Sequence, residues 1–76
     1  MQKENFKLGR YRHFKGMEYI VIGLAKHSET LEDLVVYEAQ YDNPDGKLWV
    51  RPLNMFMETV ERDGKVMQRF EYIADK

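Results

Sequence analysis

The segment YDNPDGKLWVRP, residues 41–52, limits the folds open to this chain more than any other stretch. Asn43-Pro44-Asp45-Gly46 fixes φ at Pro44 and puts a residue tolerant of positive φ at Gly46, as a type I turn with a following left-handed residue requires. The flanking runs, LVVYEAQY and KLWV, are rich in β-branched and aromatic residues, so the chain doubles back as an antiparallel hairpin. Pro52 ends the second strand because it has no N–H to donate. Asp63-Gly64, inside VERDGKVM, repeats the signal as a two-residue hairpin turn.

The remaining runs fit the same pattern. LGRYRHF alternates Leu8, Arg10, Arg12 and Phe14 against Gly9, Tyr11 and His13, and Lys15-Gly16 then offers a turn. In MEYIVIGLAKH, Met17, Tyr19 and Val21 share one face and Ile20, Ile22 and Leu24 the other. Two apolar faces predict a strand buried on both sides, or one that bends across a closed barrel, with Gly23 marking a bulge. In SETLEDL, Ser28 or Thr30 can cap a single helical turn, or the segment can be a polar loop. PLNMFMETV has room for one helical turn that drives Met55 or Phe56 into the core. QRFEYI closes the chain with Phe70 and Tyr72 on one face. The expectation is an all-β fold: a small SH3-like barrel of five to six short antiparallel strands with one helical turn near residues 53–56. Barrel closure protects strand edges. An OB fold is the runner-up, but it needs a more substantial helix.

A chain of 76 residues is one small domain. At that size only about 60% of the unfolded surface is buried, so the core must be dense in large apolar side chains. The 43% hydrophobic content meets that demand. The domain is expected over residues 8–73, after a flexible basic N-terminus of residues 1–7. Lys3, Lys7, Arg10, Arg12 and Lys15 face only Glu4 in the opening sixteen residues, yet the net charge is −1. A dedicated nucleic-acid binder carries a stronger basic excess, so a solvated basic terminus is the simpler reading. The chain has no cysteine, which excludes disulfides, thiolate zinc sites and cysteine nucleophiles. The opening has no apolar signal region, and no apolar run approaches the roughly 20 residues that span a bilayer. The expectation is a soluble cytoplasmic protein with no membrane partner.

His27, Ser28 and Glu29 are the side-chain types of a hydrolytic triad, but adjacency argues against one. Neighbouring strand residues point to opposite faces, and no nucleophile elbow or glycine-rich oxyanion loop is near. His13, His27 and Glu29 lack the spacing of a metal motif. Glu32–Asp33 and Asp42/Asp45 fall in loops, where solvation explains them. No catalytic residue, metal or cofactor is assigned. The aromatic and basic set is more informative: Tyr11, His13, Tyr37, Trp49 and Arg51. Trp49 and Arg51 share a strand face opposite Leu48 and Val50. Either they form an outward stacking platform, or Trp49 is core and a bulge turns Val50 out; the burial habit of Trp favours the second.

GRYRHFKGMEYIVIG, AKHSETLEDLVVYEAQY, LWVRPLNMFMETV and RFEYI together resemble a bacterial family, Domain of Unknown Function 1653, over roughly residues 8–73. The resemblance implies a small SH3-type barrel and brings no activity or catalytic residue with it. The family's motifs coincide here with Tyr11, His13, Gly16, His27, Ser28, Glu29, Thr30, Tyr37, Trp49, Arg51 and Pro52. The DNPDGK turn departs from the family pattern and implies only a different loop length. The functional expectation is a non-catalytic binding module. Tyr11, His13, His27, Ser28, Glu29, Tyr37, Trp49 and Arg51 would face a peptide, protein or nucleic-acid segment. The alternative is an enzyme or metal-dependent accessory in which His13, His27 and Glu29 converge. A third possibility, drawn from the two apolar faces of residues 17–25, is a homodimer.

Overall fold

The structure, a computed structural model, describes residues 6–75. Seven strands and one helical turn follow in chain order: β1 (Gly9–His13), β2 (Glu18–Lys26), β3 (Asp33–Ala39), β4 (Leu48–Pro52), α1 (Leu53–Phe56), β5 (Thr59–Arg62), β6 (Lys65–Gln68) and β7 (Phe70–Ala74). Five of them form an antiparallel sheet in the order β4-β3-β2-β1-β7, and β5 and β6 form a separate hairpin. The fold is all-β, as the hairpin signals predict. Gly46 and Gly64 both sit at positive φ, 136° and 79°, in the two turns read from the sequence. The first turn is held by Gly46 N–H to Asn43 O, 3.1 Å, and by Asp45 N–H to Asn43 Oδ1, 3.0 Å.

Register shifts at Arg10/Tyr11 in β1 and at Val21/Gly23 in β2 bend the sheet over its core. The core is aromatic: Phe6, Tyr11, Tyr19, Tyr37, Phe56 and Phe70 are buried with Val21, Val35 and Ala39. Phe56 is its centre. α1 drives this ring into the concave side, where it lies parallel to Phe70 at 4.1 Å and meets Tyr11 edge-on at 5.3 Å. Met55, the other candidate plug, is exposed.

One expectation needs correction, and two open alternatives resolve. The flexible N-terminus cannot extend to residue 7, because Phe6 is in the core and the Lys7 carbonyl accepts from Tyr11 Oη at 2.6 Å; residues 1–5 lie outside the described residues. β2 is not buried on two sides: Tyr19 and Val21 are, whereas Ile22 is 52% exposed. The bulge at Gly23 bends the strand, and the second apolar face stays open. Of the two readings for SETLEDL, the polar loop holds: residues 28–30 form a turn, and Thr30 Oγ1 accepts from Glu32 N–H, 3.2 Å.

Candidate functional site

β4 settles which of its faces is inside. Its register against β3 runs without a shift, pairing Tyr37 with Trp49, Val36 with Val50 and Val35 with Arg51. Val35 and Tyr37 are buried, so Trp49 and Arg51 lie on their side, the concave one. Leu48 and Val50 point out at 63% and 58% exposure. Trp49 is thus a half-buried neighbour of the core, as its burial habit predicts, but no bulge in β4 is needed. Its indole N–H donates to Gly46 O, 3.2 Å, and ties the strand to its turn.

Arg51 is the side chain that organises this face. Its Nε donates to Tyr37 Oη at 3.4 Å, and its guanidinium lies 5.5 Å from the centre of the Phe70 ring. No carboxylate pairs with it among the described residues, whereas Arg10 and Arg12 meet Glu18 and Arg69 meets Glu58. His13 touches the other part of the same ring system, edge-on to Phe70 at 4.9 Å. Its Nδ1 accepts from Lys15 N–H, 3.2 Å, which places the proton of the neutral ring on Nε2. Tyr19 packs on both Tyr37 and Phe70, and its hydroxyl lies 2.7 Å from that of Tyr41. The result is a half-buried cation bordered by phenol hydroxyls and a neutral imidazole. His13 also lines a surface groove of about 340 Å³ with Arg12, Phe14, Met67, Gln68 and Glu71.

The electrostatics follow from that geometry. Burial lowers the His13 pKa, and the charges of Arg51, Arg69 and Lys15 lower it further. Burial pushes the Tyr11 phenol up to about 12 and raises Tyr19 as well. A histidine with a depressed pKa in the folded state binds its proton first in the unfolded chain. Stability from this group is therefore intact above pH 6.5 and falls as the pH drops through the folded value. A Tm profile from pH 8 to pH 5 is expected to decline in the wild type and to flatten in His13→Gln. Parallel profiles would mean that carboxylates alone set the acid limb.

The other expected residues are placed differently. Tyr11 is core, stacked on Phe6 at 5.8 Å, and has no surface role. Tyr37 is 5% exposed, so it contributes its hydroxyl rather than a stacking face. His27 Nδ1 accepts from Glu29 and Thr30 N–H, at 3.1 and 3.4 Å, and so folds the turn after β2. Ser28 and Glu29 are exposed beside it. His13 precedes β2 and His27 follows it, so the nine residues of that strand separate them, roughly 25 Å at the usual rise per residue. The His13, His27 and Glu29 pocket does not assemble. Among the described residues no three His, Asp or Glu side chains gather to hold a metal ion. No described helix is long and apolar enough to cross a membrane. Sequence reading missed Tyr19 and Tyr41; Tyr19 carried a signal, since the alternation of β2 aligns it with Val21.

The family described as protein of unknown function (DUF1653) matches residues 9–72. The chain belongs to this family. A crystal structure of a DUF1653 protein from Bordetella bronchiseptica is similar to it at 36% identity, with a TM-score of 0.91, over 95% of this chain and 92% of that one. The family match takes in all of the Arg51 cluster. No curated protein matches the chain.

Proposed function

We propose that this DUF1653 chain is a non-catalytic binding module that holds an anionic oxygen group, a carboxylate or phosphate of a peptide, protein or nucleic-acid segment, against Arg51. The observation that carries this reading is the half-buried Arg51 guanidinium, fixed by Tyr37 and the Phe70 ring with no carboxylate partner among the described residues. A guanidinium held this way has little conformational freedom left to lose on binding, and its remaining N–H groups suit a planar or tetrahedral oxyanion. His13 Nε2–H adds a neutral donor, and Trp49 gives an apolar flank. The curled sheet, with its helical turn between β4 and the closing strand, supports an SH3-like reading of the barrel. Absence of cysteine is in keeping with a cytoplasmic location. The enzyme or metal reading loses its basis, because its two histidines stand at opposite ends of β2.

The test is an amide NMR titration of labelled protein with inorganic phosphate, a short peptide with a free C-terminal carboxylate, the same peptide amidated, and a short single-stranded RNA. Shifts are expected at His13, Tyr37, Trp49 and Arg51 with the free acid or the phosphate carriers, and not with the amide. Arg51→Gln is expected to weaken that binding by about ten- to a hundredfold, the worth of one charged hydrogen bond. Equal binding of acid and amide, or an unchanged Kd in Arg51→Gln, would refute the proposal.

A further inference from the structure

We infer that two copies of this chain associate by pairing their β4 strands antiparallel about a two-fold axis at Trp49, which joins the two five-stranded sheets into one. β4 is an edge strand: among the described residues its only ladder partner is β3. Ala39 N–H donates to Lys47 O, 2.8 Å. In an antiparallel ladder the backbone groups alternate in direction, so Trp49 and Arg51 bond to β3 while Leu48 and Val50 aim their N–H and C=O groups outward.

Those two residues are symmetric about Trp49, and that symmetry selects a second copy as the occupant. With the axis at Trp49, Leu48 of one copy exchanges both backbone bonds with Val50 of the other, twice over. An axis at Val50 would place Pro52, which has no N–H, opposite Leu48. An axis at Leu48 would enlist Gly46, whose N–H already serves its turn. The side chains agree with the backbone. Leu48 and Val50 are 63% and 58% exposed, and the row continues inward through Val36 to Ile22, 52% exposed. The outer face across β1 is instead charged, with Arg10, Arg12 and Glu18. The apolar patch is therefore confined to the side of the sheet that ends in the open edge, where an unguarded strand invites pairing. Pairing merges the two patches and uses up the β4 edge of each copy, and a contact made by the same strand on both copies closes at two. It also sets the two Trp49 rings face to face and Lys47 opposite Arg51, a like-charge contact that salt screens.

The test is sedimentation equilibrium of the whole chain at physiological salt, from micromolar to millimolar concentration, with Trp49 emission recorded alongside. The mass is expected to rise from monomer to dimer while the emission of this single tryptophan shifts to shorter wavelength. Val50→Pro removes an outward N–H without touching the β3 ladder and is expected to weaken association at least about tenfold. Leu48→Lys leaves the backbone intact and is expected to weaken it further, with the circular dichroism unchanged in both variants. A monomer at every concentration, a dimer indifferent to both substitutions, or growth beyond two copies would each overturn the inference.

Discussion

Phe56→Ala is expected to lower stability by about 3–5 kcal/mol, the usual loss for removing a fully buried ring. Phe56 has no exposed surface, lies flat on Phe70 at 4.1 Å and meets Phe6, Tyr11 and Tyr37 at 5.3–5.7 Å. Its contacts join both ends of the described chain to β3. A domain of this length has a net stability of roughly 4–11 kcal/mol, so the substitution removes a large share of it. Urea denaturation followed by circular dichroism measures the effect, with Val66→Ala, 71% exposed, as the neutral control. If Phe56→Ala does not fold at all, Phe56→Leu should fold with a smaller loss. A loss for Phe56→Ala no larger than that of Val66→Ala would show that the ring stack is not what holds the sheet closed.

Gly9→Ala is the second large effect, and its cause is backbone rather than core. Gly9 sits at φ 140°, where an L side chain is strained, and an added Cβ would come within 2.5 Å of the carbonyl oxygens of Ala74 and Asp75. The strain alone costs about 1–3 kcal/mol, and relieving the clash means lifting the end of β7 off β1. The variant is expected to lose at least about 3 kcal/mol, with hydrogen exchange of residues 72–75 accelerated. Gly23 has neither handicap: a Cβ added there would meet no atom within 4 Å, and its φ is ordinary. Gly23→Ala should therefore be neutral or gain about 0.4–1 kcal/mol through the unfolded chain. Equal behaviour of the two variants would mean that β7 is only loosely seated on β1.

These residues also show what could be read before the fold was known. The turns at Asn43–Gly46 and Asp63-Gly64 were legible because their chemistry is local: proline fixes one angle and glycine permits another. The helical turn and its Phe56 plug were legible because a nine-residue segment between two strands leaves no room for more. The choice of face in β4 was not. Alternation groups Trp49 with Arg51 but carries no sign, and only the pairing of Trp49 with the buried Tyr37 turns that face inward. β2 misled for a related reason, since an apolar second face reads alike whether other protein or nothing covers it. Phe6 was hidden inside a basic opening, although a lone aromatic there was the available signal. The Arg51 cluster draws on β1, β2, β3, β4 and β7, five strands whose juxtaposition is a matter of register, so no spacing along the chain announces it.

The pairing of β1 with β7 has a further consequence, for the order in which the protein can be made. Arg10 finds its partner in Ala74 and His13 in Phe70, contacts that span almost the whole described chain. A nascent chain that has emerged only as far as β4 holds four adjacent strands but lacks Phe70, the ring on which Phe56, His13 and Arg51 all rest. Closing so long a loop is costly and is compensated only when the last strand arrives. Until translation delivers β7, the aromatic floor of the sheet is open and Arg51 has no ring beneath it, so folding and assembly of the candidate site become a single late event.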